Sequence, residues 1–219
     1  MAPILVINPN SNVEVTRGLN AALDYLRFSG AVNIECLTLS EGPFGIESQS
    51  DVDSVILPLV RMVKAYTEAR AIIIACYSDP GLDACRSAAN CPVFGIQEAA
   101  VLTAMARADQ FGIIAVADVS IHRHYRSMSR MAVLPRFAGE IALNMSVAET
   151  VSGPDTFDRM LKAGRELIQL GAGSIILGCA GMAAYRYPIE EALNVPVIDP
   201  TQAAVAMALG SSMPKHSLP

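Results

Sequence analysis

Two cysteines stand at equivalent points of this chain. Ala71-Ile-Ile-Ile-Ala-Cys76 and Ser174-Ile-Ile-Leu-Gly-Cys179 each end an apolar run with a thiol. In open α/β sheets the ligand crevice lies beyond the carboxyl ends of the strands, so a thiol there is placed for chemistry. Cys76 runs into Tyr77-Ser-Asp-Pro-Gly81, where Ser78 or Asp79 suits a helix cap and Pro80 the first turn of a helix. A sulfur near a helix N-terminus meets amide donors and the positive end of the dipole, which favour thiolate over thiol. Cys179 lies in Gly178-Cys-Ala-Gly-Met182, whose small residues let backbone amides approach a ligand. Most free cysteines at such places are small buried hydrophobes, and that reading stays open. The duplication argues the other way, because a packing thiol has no reason to recur at the matching strand end. Cys36, Cys85 and Cys91 have no repeat partner and read as packing residues.

The elements that must position these thiols follow from hydrophobic periodicity. Short apolar runs at 4–7, 32–39, 71–75, 93–96, 112–117, 174–177 and 195–198 alternate with helical patterns, which predicts βαβ units and mainly parallel sheets. Val15, Leu19, Ala22, Leu23 and Leu26 recur at helical spacing behind the cap candidates Ser11 and Asn12. Val52 to Tyr66 does so behind Asp51, with a kink expected at Pro58. A later helix over 155–170 should bury Phe157, Met160, Leu161, Leu167 and Ile168. The repeat extends past the cysteines: Cys91-Pro-Val-Phe-Gly-Ile-Gln-Glu-Ala-Ala100 matches Val195-Pro-Val-Ile-Asp-Pro-Thr-Gln-Ala-Ala204. Cysteine to proline spans 16 residues in one copy and 17 in the other, so whole supersecondary units are repeated. Ile4-Leu-Val-Ile-Asn-Pro-Asn10 likewise pairs with Gly112-Ile-Ile-Ala-Val-Ala-Asp118. The expected fold is α/β, two similar pseudo-symmetric halves, each a mainly parallel sheet flanked by helices, with the site in the crevice between them. The expected division is 1–97 plus a C-terminal helix of about 201–219 for the first half, and 98–200 for the second.

Composition removes several classes of function. With 219 residues, 52% hydrophobic and 17% charged, the chain has ample core material, which excludes disorder and a disulfide miniprotein. The net charge of −5, with no Lys/Arg cluster, argues against a nucleic-acid groove. No charged n-region precedes the first strand, and the longest uncharged stretch, 167–185, is broken by Gln169 and glycines, so neither a signal peptide nor a membrane span is expected. Five cysteines with no CxxC pair read as free thiols in a reducing cytoplasm. His122 and His124 form only His-x-His, and no cluster has metal-ligand spacing, so no metal is expected. Nucleotide binding is not expected either, since neither GxGxxG nor a P-loop is present. His216 and the segment 213–219 look like a frayed end.

Taken together, Ile7-Asn-Pro-Asn-Ser11, Gly42-Pro43 with Ile46-Glu-Ser48, Ala75-Cys-Tyr-Ser-Asp-Pro-Gly-Leu-Asp83, Gly95-Ile-Gln-Glu-Ala-Ala100 and Leu177-Gly-Cys-Ala-Gly-Met182 resemble the aspartate/glutamate/hydantoin racemase superfamily, within it the hydantoin and allantoin racemases. The resemblance implies cofactor-independent racemisation or epimerisation of a small molecule by a homo-oligomer. Cys76 and Cys179 would be the catalytic pair, one thiolate removing the proton beside a carbonyl and the other thiol protonating the opposite face, as two matched bases allow and one does not. Amides of the turns after both cysteines would hold the enolate oxygens. The substrate-binding residues it implies are Asn8, Ser11, Phe44, Ser48, Ser78, Asp79, Asp118, Gly181 and Met182. Several have simpler readings: Asn8 as a turn residue, Ser11 as a helix cap, Phe44 and Ser48 as parts of a surface loop. Gln97 and Glu98 start a helix beside the crevice, in a supporting or a capping role. Tyr77-Ser78 and Ala180-Gly181 replace the Asn-Thr and Thr-His that follow the cysteines of amino-acid racemases, which points to a neutral ring-like or ureido substrate. Ala117-Asp118-Val119-Ser120 departs from the family's paired threonines, and the basic segment Ile121-His-Arg-His-Tyr-Arg126 fits either a bound anion or a solvated helix. An arylmalonate-type decarboxylase, an amino-acid racemase and a non-catalytic small-molecule sensor are the alternatives.

Overall fold

A computed structural model describes residues 2–27 and 32–211. Strands β1 (Ile4–Asn8), β2 (Ile34–Thr38), β3 (Ala71–Ile74) and β4 (Val93–Gly95) form one parallel sheet in the order β2-β1-β3-β4. Strands β5 (Phe111–Ala115), β6 (Phe137–Ala142), β7 (Ser174–Leu177) and β8 (Val197–Ile198) form a second in the matching order β6-β5-β7-β8. Pairing is parallel throughout both sheets. Strands β1, β3, β5 and β7 are buried along their whole length, which is why they read as unbroken apolar runs.

Strand β6 escaped the sequence reading. It is the edge strand of its sheet and is half-buried at every position, and Phe-Ala-Gly-Glu-Ile-Ala shows neither a continuous apolar run nor clean alternation. Its place in the sheet is that of β2, which completes the repeat.

Ten α-helices connect and cover the strands among the described residues. Helix α1 (Val13–Ala22) is capped by Asn12, whose side chain accepts the Glu14 amide, and Ser11 instead donates its own amide to the Pro43 carbonyl. The expected single helix over 52–66 is two, α2 (Gln49–Ser54) and α3 (Ile56–Ala65). Pro58 lacks the amide that would bond Ser54, so the chain breaks at Val55, ahead of the proline. Ser48, in a capping box with Asp51, is the cap of α2 in place of Asp51 itself. Helix α4 (Leu82–Ala88) is short and follows a left-handed Gly81, so neither Ser78 nor Asp79 caps it and Pro80 lies outside it.

Helices α5 (Ile96–Met105), α6 (Asp118–Arg130), α7 (Val147–Ser152), α8 (Thr156–Gln169) and α9 (Arg186–Leu193) follow, and α10 (Pro200–Ser211) ends the described chain. Met160 and Leu167 of α8 are buried, while Phe157, Leu161 and Ile168 are half-buried against the core. The expected helix over 201–219 begins at Pro200, and 212–219 lies outside the described residues. Helix α5 lies against β5, β7 and β8, α10 lies against β3 and β4, and the two pack on each other. One core therefore runs through both sheets, and a smaller one lies under α2, α3 and α4.

Candidate active site

Both repeat cysteines end buried strands and turn into matched loops. The Asp79 amide donates to the Cys76 carbonyl at 3.0 Å, and the Met182 amide to the Cys179 carbonyl at 3.2 Å. One residue earlier in the second turn, the Gly181 amide donates to Cys179 Sγ at 3.3 Å, while the Ser78 amide plays that part toward Cys76. The turn amides expected to hold an enolate are thus partly occupied within the turns themselves. Gly181 is required for this approach, because a Cβ there would lie 2.9 Å from Thr150 Oγ1 and 3.6 Å from Cys179 Sγ. Thr150, fully buried on α7, shares its hydroxyl between the Val147 carbonyl and the Cys179 sulfur, the latter at 3.7 Å.

Cys76 and Cys179 line one cavity between the halves, with about 470 Å³ of empty space counted to its open mouth. Ala75 and Gly178 precede the thiols along its wall, and Val116, Ile46 and Val147 make it apolar. Asn10, Ser78, Ser120, Arg123 and His124 supply its polar groups.

Burial dominates the electrostatics. It pushes the Cys76 thiol up to about 12, with charge on Cys179 and Asp79 adding to the shift and the Ser78 amide and Arg123 opposing it. Burial also raises the Cys179 thiol, against the Gly181 amide and the Thr150 hydroxyl. The expectation that a helix N-terminus would favour thiolate at Cys76 is overturned, because α4 begins beyond Gly81 and desolvation outweighs the one nearby amide.

Of the other expected residues, Ser78 lines the cavity. Asn8 is fully buried and ties the loop together, its Nδ2 donating to Asn10 Oδ1, the Asn12 carbonyl and Thr16 Oγ1. It is Asn10 that reaches the cavity wall. Phe44 is exposed, Ser48 is spent on capping α2, and Ile46 represents their loop in the wall. Asp118 is exposed and exchanges hydrogen bonds with Asn144, while Met182 is wholly buried.

Asp79 departs furthest from its expected role. Its carboxylate accepts the Gln97 and Glu98 amides, both at 2.9 Å, and so caps α5. The carboxylate occupies the space that a side chain on Gly95 would fill. The repeat explains this placement, since Gly95 matches Asp199, and Asp199 caps α10 directly through the Gln202 amide at 2.7 Å. Both halves therefore put a carboxylate at the same helix N-terminus from different sequence positions. Gln97 turns its amide to the His124 carbonyl, and Glu98 pairs with Arg86.

Sequence reasoning misses Thr150 as part of this site, notes Tyr77 only as a replacement after the cysteine, and leaves the segment holding Arg123 and His124 open between a bound anion and a solvated helix. His124 is buried with Nδ1 2.5 Å from Glu140 Oε1, and its ring meets Tyr77 edge-on. Glu140 is on the unread strand β6, so no local signal linked it to His124. For α7, the capping box Ser146 to Glu149 was the one signal in the sequence. Cys85 is buried under α3, and Cys36 and Cys91 are half-buried, all outside the cavity.

Fold and site define a twinned α/β protein in which each half contributes one thiol to a shared cavity. The chain belongs to the Asp/Glu/Hydantoin racemase family, whose model matches residues 4–208. It is 33% identical over 211 residues to a hydantoin racemase of Paenarthrobacter aurescens, covering 94% of this chain and 89% of that one. An allantoin racemase structure from Klebsiella pneumoniae superimposes with a TM-score of 0.90 at 30% identity, covering 99% of this chain and 92% of the other. The allantoin racemase structure from Pseudomonas fluorescens gives 0.86 at 26% identity, with 95% and 89% covered. This protein is thus an isomerase of the racemase type. Among the described residues, no helix is long and apolar enough to cross a membrane.

Proposed function

We propose that this chain racemises or epimerises a hydantoin-like or allantoin-like compound without a cofactor, by proton transfer between two cysteines. The observation that carries this reading is the pair of thiols, one per half, on matched turns in one largely apolar cavity. One sulfur, as thiolate, takes the proton from the ring carbon beside a carbonyl, and the electron pair moves into that carbonyl as an enolate. The opposite thiol then gives its proton to the other face and becomes the thiolate. The cycle ends with the thiol and thiolate exchanged, ready for the reverse reaction. High thiol pKa values suit this step. They lower the thiolate population but make each thiolate a stronger base, closer in strength to the weakly acidic carbon it must deprotonate.

The test is to follow optical rotation with single enantiomers of 5-substituted hydantoins, of allantoin and of free amino acids. Faster loss of rotation with free glutamate or aspartate than with the hydantoins or allantoin would overturn the substrate class. Cys76→Ala and Cys179→Ala should both abolish racemisation. In deuterated water each should still exchange the reacting proton of one enantiomer, and the enantiomer should switch between the two variants. Near-normal racemisation by either variant would overturn the two-base mechanism. Inactivity of Cys179→Ala alone, with CO2 released from an aryl malonate, would favour a one-thiol decarboxylase.

A further inference from the structure

Resting on that reading, we propose that Arg123 is a specificity residue that selects substrates whose ring substituent carries a carboxylate. Of the residues lining the thiol cavity, Arg123 alone holds a fixed positive charge, and none is an acid. A cavity lined by both thiols, with one fixed cation and no carboxylate in its wall, is complementary to an anionic ligand.

No carboxylate compensates the cation through an ion pair. Among the described residues, Arg123 makes no ion pair. Its Nη1 and Nη2 donate to the Val119 and Glu47 carbonyls, both at 3.2 Å, and its buried Nε has no partner. The strongest negative charge acting on it is the Cys76 thiolate itself; of the acids that act on it, Asp51 is held in the α2 capping box and Glu140 holds His124 through one oxygen. A half-buried guanidinium held only by neutral carbonyls keeps most of its capacity to bind an anion, and its planar fork matches a carboxylate in two-point contact.

Position separates a permanent charge on the substituent from the transient charge on the enolate. A second, wider cleft of about 1920 Å³ of empty space opens beside the thiol cavity, between α2 and α6, and Ser78 and Arg123 are the two residues that line both. They stand where the two spaces adjoin. With the reacting carbon between the two sulfurs, a substituent directed toward the wider cleft meets Arg123 at this boundary. Arg126 and Arg130, farther along α6, line the cleft beyond on that side, and Asp53, Asp79, Asp83 and Glu98 line it elsewhere, so the selection for an anion rests on Arg123 at the boundary. The neutral ring expected from the cysteine turns and an acidic substituent are compatible, because they occupy different parts of the site.

The experiment compares 5-(carboxymethyl)hydantoin with its near-isosteric neutral amide, 5-(carbamoylmethyl)hydantoin, in the wild-type protein, Arg123→Gln and Arg123→Lys. Wild type should favour the acid roughly ten- to a hundredfold in kcat/KM, the span of one charge-assisted hydrogen bond. Arg123→Gln should lower turnover of both substrates through the lost support of the Cys76 thiolate and, beyond that common fall, bring the acid-to-amide ratio near one through KM for the acid; Arg123→Lys should restore part of the ratio. Thermal melts of the variants check that each is folded. Equal use of acid and amide by wild type overturns the inference and leaves the proposed racemase standing. A preference that survives Arg123→Gln also overturns it, whether or not both substrates fall together, because Arg123 would then act on the thiolate or the enolate alone. If wild type turns over neither hydantoin nor allantoin, the proposed function fails and the inference fails with it.

Discussion

At the scale of single residues, the two sulfurs share a burden and differ in how it is relieved. Burial raises both thiols; Cys179 is supported by the Gly181 amide and the Thr150 hydroxyl, Cys76 by the Ser78 amide and the charge of Arg123. Thr150→Val keeps the shape of the side chain and removes the hydroxyl, leaving the Cys179 thiolate with one donor. Racemisation should fall by about two- to tenfold, the worth of one ordinary hydrogen bond, and initial-rate polarimetry would show it. The raised pKa has its own signature. A thiol near 12 holds its proton at neutral pH and yields more thiolate as pH rises. Alkylation of Cys76 by iodoacetamide, resolved from the other cysteines by mass spectrometry, should therefore keep accelerating beyond pH 9, past the midpoint of an unperturbed thiol at about 8.5. A plateau near pH 8 would show that burial does not control this thiol.

At the scale of elements, the exchange between Asp79 and Asp199 is the most informative. Asp199 is buried and Asp79 half-buried, and both are shifted upward, Asp79 to about 7 and Asp199 to about 6, in each case by desolvation that outweighs the capping amides. The folded state then holds protons that the unfolded chain releases near pH 4, so these groups stabilise most at low pH. Their contribution is lost as pH rises from about 4 to about 7. Asp79→Asn should flatten the pH dependence of urea stability in that window, with the gap between wild type and variant narrowing toward pH 7. The repeat also predicts a rescue. Asp79 has a positive φ of 44°, which glycine accepts without strain, so Asp79→Gly isolates the loss of the cap. It should cost about 1 to 2 kcal/mol, and adding Gly95→Asp should return most of that by imitating Asp199. Gly95→Asp alone should destabilise, because its side chain and the Asp79 carboxylate would claim one space. Urea titration of the three variants decides the matter.

At the scale of the whole molecule, each sheet is covered partly by a helix contributed from elsewhere in the chain: α10 returns to the first sheet, and α5 lies on the second. Their alanine-rich faces, including Ala100 and Ala204 at equivalent and fully buried positions, let the two helices approach closely. A core shared in this way couples the halves, so the chain should unfold in one transition. Hydrogen exchange read by mass spectrometry should give the same opening free energy, within about 1 kcal/mol, for β1 and β3 as for β5 and β7. Clearly separate values would mean that each half folds by itself. Ala204→Leu should lower stability by about 1 to 3 kcal/mol by overpacking this seam, and exchange should quicken in both sheets together.

The sequence by itself determined the repeat, the parallel sheets and the pair of thiols, because each is written locally. Fully buried strands must be continuous apolar runs, and a residue at the end of such a run is fixed in place by the run. It also carried the family resemblance, which rests on short segments around those strand ends. The edge strand β6 left little trace, since a half-buried strand has no strict pattern to keep. Tertiary structure alone decided which polar side chains face the cavity and which are consumed elsewhere. Asn8, Asp79 and Ser48 have the right chemistry for binding and spend it on a loop, a helix start and a cap, whereas Thr150 reaches the site with no sign of it in its own sequence, and the basic segment holding Arg123 and His124 leaves a bound anion and a solvated helix equally open. The physical reason is that a hydrogen bond is satisfied by whatever group arrives within about 3 Å, and that depends on how distant segments pack rather than on residue type. Thiol protonation was decided the same way: the sequence placed a turn after Cys76, but desolvation by the surrounding fold set the direction of its pKa.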